Sequence, residues 1–446
     1  MRQLVIILAS LITACETSTS VEMAEVPFEP DSGSLAIRCG MLIDGLADAP
    51  AADQLVLVHN GRFDRILPGN SSIPSSTPLL DLSAHTCLPG LIDTHTHIAL
   101  YPDDSADMTV YYRRSIDDST HIARENAATT LLAGFTTVRN VGDYFPESVA
   151  AVRDEANNGI AISPRISTAG PYMTIPGGGG DLVIPGVDES TIPDSLRQGV
   201  GRGPAAFRAN AQRAIDSGAD VLKVIASGAV FAFDGVPGAP EMTQDEIAAV
   251  VDVAHAAGLR VTAHAHGAQS IKDAILAGVD SIEHASLADD EAIAMAADRG
   301  VAFSMDVYNG TYTEEVGYEL GYPEEFMRKN EETTEAQRIV FEKAYAAGVP
   351  ILFGTDAGVL PHGMNARQFE VMVQRGMSPM DAIKAATSVA AEHMDRASRV
   401  GAIEEGRLGD LIAVRGNPLD DVGLLQDVPV VIKGGLVFRL ATSPER

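Results

Sequence analysis

Short apolar runs alternate with longer amphipathic stretches along most of the chain. The runs are rich in Val, Ile, Leu and Phe and several follow a glycine, which is typical of buried parallel strands. The stretches between them, such as TQDEIAAVVDVAHAAG and TEAQRIVFEKAYAAG, have the apolar spacing of helices and end in a glycine cap. Eight strand segments are predicted: GLIDTHTHI, GFTTVRNVG, PRISTAG, ADVLKVIASG, GLRVTAHAHG, GVDSIEHAS, GVAFSMDVY and GVPILFGTDAG.

This alternation predicts an α/β fold, a (β/α)8 TIM barrel over residues 89–399. A doubly wound open sheet is the alternative, but no Gly-rich dinucleotide fingerprint follows the first strand. Both chain ends are instead rich in short strands and turns, including the hairpin signal Asn60-Gly61. We therefore expect residues 34–88 and 400–440 to form one small β-sandwich domain beside the barrel.

The N-terminus has the features of an export signal. Residues 1–15, MRQLVIILASLITAC, carry one basic residue and an apolar run too short to span a bilayer. The small residues before Cys15 resemble the lipobox of bacterial lipoproteins, which implies cleavage before Cys15 and lipidation of that residue. An ordinary secretory signal with an incidental cysteine is the alternative. The polar, Pro-containing residues 16–33 are predicted to form a linker.

Either signal predicts an exported protein, periplasmic or in the cell envelope. The lipobox interpretation adds an N-terminal lipid anchor as its only membrane contact. The formal net charge of -29 argues against a nucleic-acid partner, which would require a basic face. The charge is compatible with cationic substrates but is explained more simply by a solvated acidic surface. Homo-oligomerisation is left open, since nothing in the sequence specifies a number of subunits.

Two cysteines, Cys39 and Cys87, lie in the predicted β domain. A disulfide between them is compatible with an oxidising compartment. Sequence carries no measure of their separation, and cysteine is a common buried residue in its free form. We expect two buried free thiols in preference to a disulfide.

Ionisable residues recur at the carboxyl ends of the predicted barrel strands, where barrel enzymes place their chemistry. His95 and His97 end the first strand and, being two apart, can both point inward. Each histidine alone is better explained as a core or rim side chain, but their recurrence at one end of the barrel predicts a common metal-binding mouth. The others are Lys223 in the fourth strand, His264 and His266 in the fifth, His284 in the sixth and Asp356 after the eighth.

Lys223 is flanked by apolar residues in VLKVIASG. A buried lysine must lose its proton or find an anionic partner. The simpler interpretation is an ion pair with a buried carboxylate. The alternative is a carbamate, formed with carbon dioxide, that becomes an anion able to bridge two metal ions.

The motifs PGLIDTHTH, HAHG, SIEHAS and GTDAG, together with the lysine strand, resemble the amidohydrolase superfamily over residues 34–440. Within it the chain is similar to the imidazolonepropionase-like group that contains Xaa-Pro and Xaa-Arg/Lys dipeptidases and ochratoxinase-type amide hydrolases. The resemblance implies two divalent ions, most naturally Zn²⁺. One ion would be bound by His95, His97 and Asp356, the other by His264 and His284, with carbamylated Lys223 bridging both. His266 would face the substrate, and an exchange of roles between His264 and His266 stays open because both face one side.

The resemblance also implies a reaction. A metal-bridging hydroxide would attack an amide carbonyl, and Asp356 would act as general base and then general acid. The implied substrates are small-molecule amides, namely dipeptides or N-acyl amino acids, in a carboxypeptidase- or dipeptidase-like reaction that extends to ochratoxin-type amides. The alternatives are a cyclic-amide or lactone hydrolase of imidazolonepropionase type, and a lipoprotein that binds a metal or ligand without catalysis, which the presence of Asp356 disfavours.

Three further residues are predicted to contact the substrate. Tyr308 and Tyr312 lie in DVYNGTYTEEVG, expected as a loop after the seventh strand, and His362 lies in GVLPHG. Rim packing is the alternative for each. The segment PYMTIPGGGGDL is expected to be an active-site loop, with Gly179 and Gly180 in a region where relatives often carry a histidine.

Overall fold

The computed structural model describes residues 33–441. The predicted signal peptide, Cys15 and residues 16–32 of the predicted linker lie outside the described residues. Within residues 33–441, none of the helices has the length and apolar character needed to cross a bilayer.

The order of strands and helices follows the sequence pattern closely, and all eight predicted barrel segments contain a strand. The strands are β1 (Ser34–Leu42), β2 (Ala51–His59), β3 (Arg62–Pro68), β4 (Leu79–Pro89), β5 (Leu91–Thr96), β6 (Phe135–Asn140), β7 (Arg165–Thr168), β8 (Leu222–Ile225), β9 (Val261–Gly267), β10 (Ser281–Leu287), β11 (Ala302–Ser304), β12 (Ile351–Leu352), β13 (Leu411–Arg415), β14 (Val430–Lys433) and β15 (Leu436–Leu440). The α-helices are α1 (Ile116–Leu132), α2 (Pro146–Asn157), α3 (Pro204–Asp216), α4 (Gln244–Ala256), α5 (Ala268–Ala277), α6 (Asp290–Arg299), α7 (Asn309–Leu320), α8 (Glu324–Ala346), α9 (Gln368–Gln374), α10 (Pro379–Ala385) and α11 (Ser388–His393).

The eight central strands form two open parallel sheets, β5–β7 and β8–β12. Backbone hydrogen bonds cross both seams between these sheets. Met173 N donates to Lys223 O over 3.0 Å, and Thr94 N donates to Phe353 O over 2.8 Å. Eight parallel strands joined in this way, each connected to the next by helical segments, have the arrangement of a (β/α)8 barrel. All their carboxyl ends therefore open on one side.

Strands from both ends of the chain form a single seven-stranded sheet in the order β15-β14-β13-β4-β1-β2-β3. This confirms that the small β domain is built from both termini. The two separate sheets of the expected sandwich are not found, because β1 pairs with both β2 and β4, and β4 pairs in turn with β13. The ladder is therefore continuous across the whole domain. Its apolar face is a separate small core that includes Ile37, Phe63 and Leu82.

Cys39 and Cys87 are joined in a disulfide, so the expectation of two free thiols was wrong. Both side chains are buried in the core of the sheet. A register irregularity between Cys39 and Met41 accompanies the pairing of β1 with β4 and brings the two Cα atoms to 5.8 Å. This proximity is a product of strand pairing, which the sequence spacing of the cysteines does not reveal.

Reducing this disulfide is expected to destabilise the protein. The bond links residues 48 apart, and a crosslink of that span removes conformational freedom from the unfolded chain. We expect the free energy of unfolding to fall by about 2–4 kcal/mol on reduction. Thermal unfolding with and without a thiol reductant measures the change. The Cys39→Ala/Cys87→Ala double variant should be insensitive to reductant, and an equal insensitivity of the wild-type protein would contradict the prediction.

The segment after β11 is helical where the sequence analysis expected a loop. Helix α7 begins at Asn309, directly after Tyr308, and contains Tyr312. It ends where Gly321 adopts a left-handed conformation with φ of 82°. The helix fixes the position of both tyrosines relative to the barrel.

Candidate metal centre and active-site cavity

A cavity of about 140 Å³ opens at the carboxyl ends of the barrel strands. All seven ionisable residues that the sequence places at the barrel mouth line this one cavity. They are His95, His97, Lys223, His264, His266, His284 and Asp356. The rule that strand ends converge therefore places residues from five strands in a single site.

Unusual backbone conformations aim two of these residues into the cavity. His284 and Asp356 have φ angles of 71° and 61°. Left-handed conformations are uncommon for residues other than glycine and cost on the order of 1–3 kcal/mol each. The register of β10 against β9 also shifts after His284. Strain of this kind is typical of positions that are held for function rather than for stability.

His95, His97 and Asp356 are the first predicted set of metal ligands, and the ligand atoms of His95, Asp356 and His284 all lie within 4.8 Å of one another. The Oδ1 atom of Asp356 lies 3.2 Å from His95 Nε2 and 3.1 Å from His97 Nε2. Ligands at about 2.0–2.1 Å around a tetrahedral ion are separated by roughly 3.3 Å. The spacing and the chemistry of these donors therefore fit a Zn²⁺-like ion.

The other nitrogen of His95 faces a buried carboxylate that sequence analysis missed. His95 Nδ1 lies 2.7 Å from Glu283 Oε2, and Arg139 Nη2 lies 2.7 Å from Glu283 Oε1. The hydroxyl of Thr262 also donates to Glu283. Burial alone would raise the pKa of Glu283, but Arg139 and His95 hold that pKa well below its usual range. An ionised Glu283 orients the His95 ring so that Nε2 faces the cavity.

His97 and His284 are oriented in the same manner. His97 Nδ1 donates to the carbonyl of Gly142 over 2.9 Å. His284 Nδ1 lies 2.9 Å from Asp306 Oδ1, which also accepts a hydrogen bond from Gln337. In each ring the Nε2 atom is left to face the cavity, as expected of a histidine held for metal binding.

His264, His266 and His284 form a second group whose ligand atoms lie within 4.8 Å of one another. His264 Nε2 lies 3.5 Å from the carbonyl of Gly228, and His266 Nδ1 contacts the hydroxyl of Ser286 at 2.9 Å. Burial lowers the pKa of His264 well below the ordinary value and that of His266 to about 3, so both imidazoles are neutral. Both rings retain a nitrogen for the cavity, and the exchange of roles between them stays open.

Lys223 lines the same cavity as the two groups and is 1% exposed. Within residues 33–441 it has no carboxylate within ion-pair distance, so the ion pair considered from the sequence is not formed. Burial lowers the pKa of its amine to about 8. The unprotonated amine is the form that reacts with carbon dioxide, so this environment suits a carbamate.

Two further residues tie the centre to the segment after β11. Asn309 Nδ2 donates to Asp356 Oδ2 and to Asp306 Oδ2, each over 3.1 Å. Asp306 follows the seventh barrel strand and could have been found by the strand-end rule that located the histidines. Glu283 directly precedes His284, but its partners His95 and Arg139 lie far from it in the sequence, so no local pattern marks it. Arg139 carries no local signal.

Tyr308, Tyr312 and His362 do not line the cavity. The Tyr308 hydroxyl accepts a hydrogen bond from Arg367 over 3.0 Å, and Tyr312 packs in the same apolar cluster as Tyr308. His362 Nε2 lies 3.2 Å from the backbone carbonyl oxygen of His97. The predicted substrate contacts of these three residues have no support from their positions.

The glycine-rich segment does reach the cavity, where Gly179 forms part of the lining. Its backbone N–H donates to Glu241 Oε2 over 2.8 Å. Burial raises the pKa of Glu241 to about 7, outweighing the opposing effects of that N–H and of Lys329. The backbone of the glycine-rich segment is thus hydrogen-bonded to the Glu241 carboxyl group, which titrates near neutrality.

A pH-dependent loss of stability is expected from Glu241. Its pKa is higher in the folded protein than in the unfolded chain, where it is about 4.3. The free energy of unfolding therefore falls as pH rises between about 4 and 7, because the unfolded chain releases the proton first. The Glu241→Gln variant still accepts from Gly179 but lacks this loss.

Melting temperatures of both proteins at about pH 5 and pH 8 check the prediction. The wild-type protein should lose stability relative to the variant at the higher pH. Asp93 and Asp143, whose pKa values burial raises to about 6, are common to both proteins and cancel in the comparison. A difference between the two proteins that does not change with pH would contradict the assignment.

Comparisons with known proteins agree with this geometry. The sequence model of the amidohydrolase family matches residues 86–437. The ochratoxinase of Aspergillus niger is 29% identical over 433 residues, which cover 90% of this chain and 86% of the ochratoxinase. A crystal structure of a Xaa-Pro dipeptidase with methionine bound in its active site is 35% identical, with a TM-score of 0.85 over 91% of this chain and 100% of that one. The A. niger ochratoxinase structure has a TM-score of 0.80 at 26% identity, over 92% of this chain and 96% of its own.

These fold neighbours indicate a TIM barrel with an added β-rich domain, which is the arrangement that the strands and their seams describe. Members of this superfamily typically bind metal ions, and the histidine and aspartate cluster lies where such ions would be held. The chain belongs to the amidohydrolase family and is a hydrolase that acts on amide bonds.

Proposed function

We propose that the protein is a binuclear-metal amidohydrolase that cleaves dipeptides or N-acyl amino acids. The observation that carries this proposal is the pair of buried ligand groups, His264, His266 and His284 in one and His95, His284 and Asp356 in the other, which line one cavity together with Lys223. A site for a single ion would leave the remaining ligand atoms of one group, and the buried Lys223, without an ion to bind.

The proposed ligands follow from the geometry and from the superfamily resemblance. His95, His97 and Asp356 would hold one ion, and His264 and His284 the other, with carbamylated Lys223 contributing to both. Neutral imidazoles and carboxylate oxygens favour Zn²⁺ among the common divalent ions. Two such ions, when bound, supply a nucleophile from water at neutral pH and polarise the amide carbonyl.

Asp356 is the proposed proton carrier. Burial alone would raise its pKa, but His95 and His97 hold that pKa well below the usual range, so the carboxylate is ionised. Asn309 donates to its Oδ2 atom and fixes the plane of the carboxylate. In the proposed reaction Asp356 accepts the proton of the attacking water and passes it to the nitrogen of the departing amine.

The substrate proposal is supported by the relatives, which include a Xaa-Pro dipeptidase and an ochratoxinase. A solved prolidase, 25% identical to this chain, has N-methylphosphonate-L-proline bound.

The test of the proposed function is the release of amine from a panel of dipeptides and N-acyl amino acids. The full chain, supplied with zinc and bicarbonate, is compared with the Lys223→Ala variant. We expect release by the wild-type protein alone, and about two metal ions per chain by elemental analysis against fewer in the variant. Ring opening of cyclic amides or lactones, with no amine released from the panel, would overturn the substrate proposal in favour of an imidazolonepropionase-type reaction.

We also propose that the protein is exported and anchored through a lipid on Cys15. The buried disulfide supports export, because such bonds persist in oxidising compartments. Metabolic labelling with a fatty acid tests the anchor: the wild-type chain should be labelled and the Cys15→Ser variant should not. A secreted, unlabelled wild-type chain would leave export intact and exclude the lipid.

A further inference from the structure

Three tyrosines form one side of the active-site cavity. Tyr111, Tyr144 and Tyr172, which we call the tyrosine wall, follow β5, β6 and β7 respectively and all line the cavity. The ring centroids of Tyr111 and Tyr144 are 5.0 Å apart, and those of Tyr144 and Tyr172 are 5.1 Å apart. Neither the metal centre nor the proposed proton transfer uses these rings.

A buried ion pair contacts Tyr111 of the tyrosine wall. Arg114 donates to both oxygens of Asp104, over 2.8 and 2.6 Å, and its guanidinium carbon lies 5.2 Å from the centroid of the Tyr111 ring. A cation in this position is attracted to the face of the ring. Both charged side chains are 7% exposed and neither lines the cavity. Tyr111 is therefore held by a contact that lies outside the cavity lining.

The hydroxyl of Tyr172 has an O–H that is not donated to any hydrogen bond within residues 33–441. It lies 3.1 Å from His97 Nδ1, which also contacts the carbonyl of Gly142. A carbonyl only accepts, so Nδ1 carries the hydrogen and the Tyr172 oxygen can only accept from it. Within residues 33–441 the Tyr172 hydroxyl has no acceptor for its own proton.

The opposite side of the cavity is polar and uncharged. Helices α7 and α8 contribute amide and hydroxyl side chains there, and within the described residues Lys223 is the only lysine or arginine in the lining. The cavity thus has a flat apolar side beside His97 and a polar side without a cation. The polar residues are Asn309, Asn330, Thr333, Thr334 and Gln337.

We propose that the tyrosine wall is a specificity subsite that selects substrates with a planar aromatic group next to the scissile amide, and that Tyr172 donates a hydrogen bond to an oxygen of that substrate. This inference rests on the proposed amide hydrolysis and deepens it. The rings of Tyr111 and Tyr172 are inclined to that of Tyr144 by 48° and 67°. A flat ring can stack on one of them and meet the edge of the next, which a puckered ring of equal size cannot do as well.

The test compares substrates that differ in planarity and hardly in size. One pair is N-benzoylalanine and N-cyclohexanecarbonylalanine, and the other is N-acetylphenylalanine and N-acetylcyclohexylalanine. We expect kcat/KM to favour the aromatic member of the pair whose ring reaches the wall by about tenfold. Hydrolysis of all four with equal kcat/KM in both pairs would overturn the inference and leave the proposed function intact.

A binding measurement keeps the inference testable without turnover. The chain has 10 tyrosines and no tryptophan, so tyrosine is the main contributor to its near-ultraviolet circular dichroism, beside 13 phenylalanines and the disulfide. Benzoate should change this signal in the metal-free protein at about tenfold lower concentration than cyclohexanecarboxylate. Equal responses to the two acids, with or without catalysis, would overturn the inference.

Variants assign the effect to the wall. Tyr144→Leu should abolish the aromatic preference, whereas Tyr144→Phe, which keeps the ring, should retain it. Tyr172→Phe should keep the preference but lower kcat/KM about tenfold for substrates that present an oxygen to it. Tyr318→Leu is the matched control, because Tyr318 is 74% exposed and lies outside the cavity. A preference that survives in a folded Tyr144→Leu protein would overturn the assignment.

Discussion

Replacing Asp356 with asparagine is expected to reduce kcat by at least about a thousandfold, because the variant cannot accept a proton from the attacking water. Asparagine is the appropriate substitution. It has the same size, and it tolerates the left-handed backbone that Asp356 adopts with φ of 61° better than most residues do. Steady-state kinetics on a substrate identified in the amine-release panel measure the loss, and circular dichroism verifies the fold.

The matched control for this variant is Asp220→Asn. Asp220 is bound by Arg153 over 3.0 Å and does not line the active-site cavity. Its replacement should leave kcat within about twofold of wild type. An Asp356→Asn protein that turns over at the wild-type rate would remove Asp356 from the mechanism, whatever its metal content.

Replacing Glu283 with alanine is expected to cost about 3–5 kcal/mol of folding free energy. Glu283 is fully buried, and its removal leaves the guanidinium of Arg139, itself 3% exposed, without a carboxylate. It also leaves His95 Nδ1 without its partner at 2.7 Å. We therefore expect the variant to lose metal affinity as well as stability. Urea unfolding and metal titration measure the two effects separately.

An exposed ion pair provides the control for Glu283. Asp290 contacts Lys343 at 2.7 Å, but their side chains are 84% and 52% exposed. Asp290→Ala should leave the melting temperature nearly unchanged, since exposed pairs contribute little. A Glu283→Ala protein with wild-type stability and metal affinity would show that the contact with His95 has no orienting role.

The location of the candidate metal centre could be predicted because it follows from local rules. Side chains two apart on a strand share a face, so His95 and His97 are paired by sequence alone. The carboxyl ends of barrel strands meet on one side, which brings His284 and Asp356 to them. The choice between His264 and His266 could not be made in the same way, because both satisfy the same rules.

The positions of the three residues predicted to contact the substrate do not support that role. The reason is physical. Tyr308, Tyr312 and His362 follow barrel strands and so belong to the correct end of the molecule. Whether such a residue faces the cavity depends on the segments that carry it, and α7 holds Tyr312 in an apolar cluster instead. Tyrosines that do line the cavity, among them Tyr144, lie after other strands and have no distinguishing pattern around them.

The sequence by itself determined the order of strands and helices along the chain, the assembly of the β domain from both chain ends, and the histidines, lysine and aspartate of the candidate metal centre. Only the tertiary structure decided the Cys39–Cys87 bond, the contact of Glu283 with His95 and the assembly of the tyrosine wall. The difference is one of range. Periodicity and strand ends are properties of short segments, whereas these contacts join residues far apart in the chain. Such contacts depend on strand register and loop path, which are set when the whole core packs.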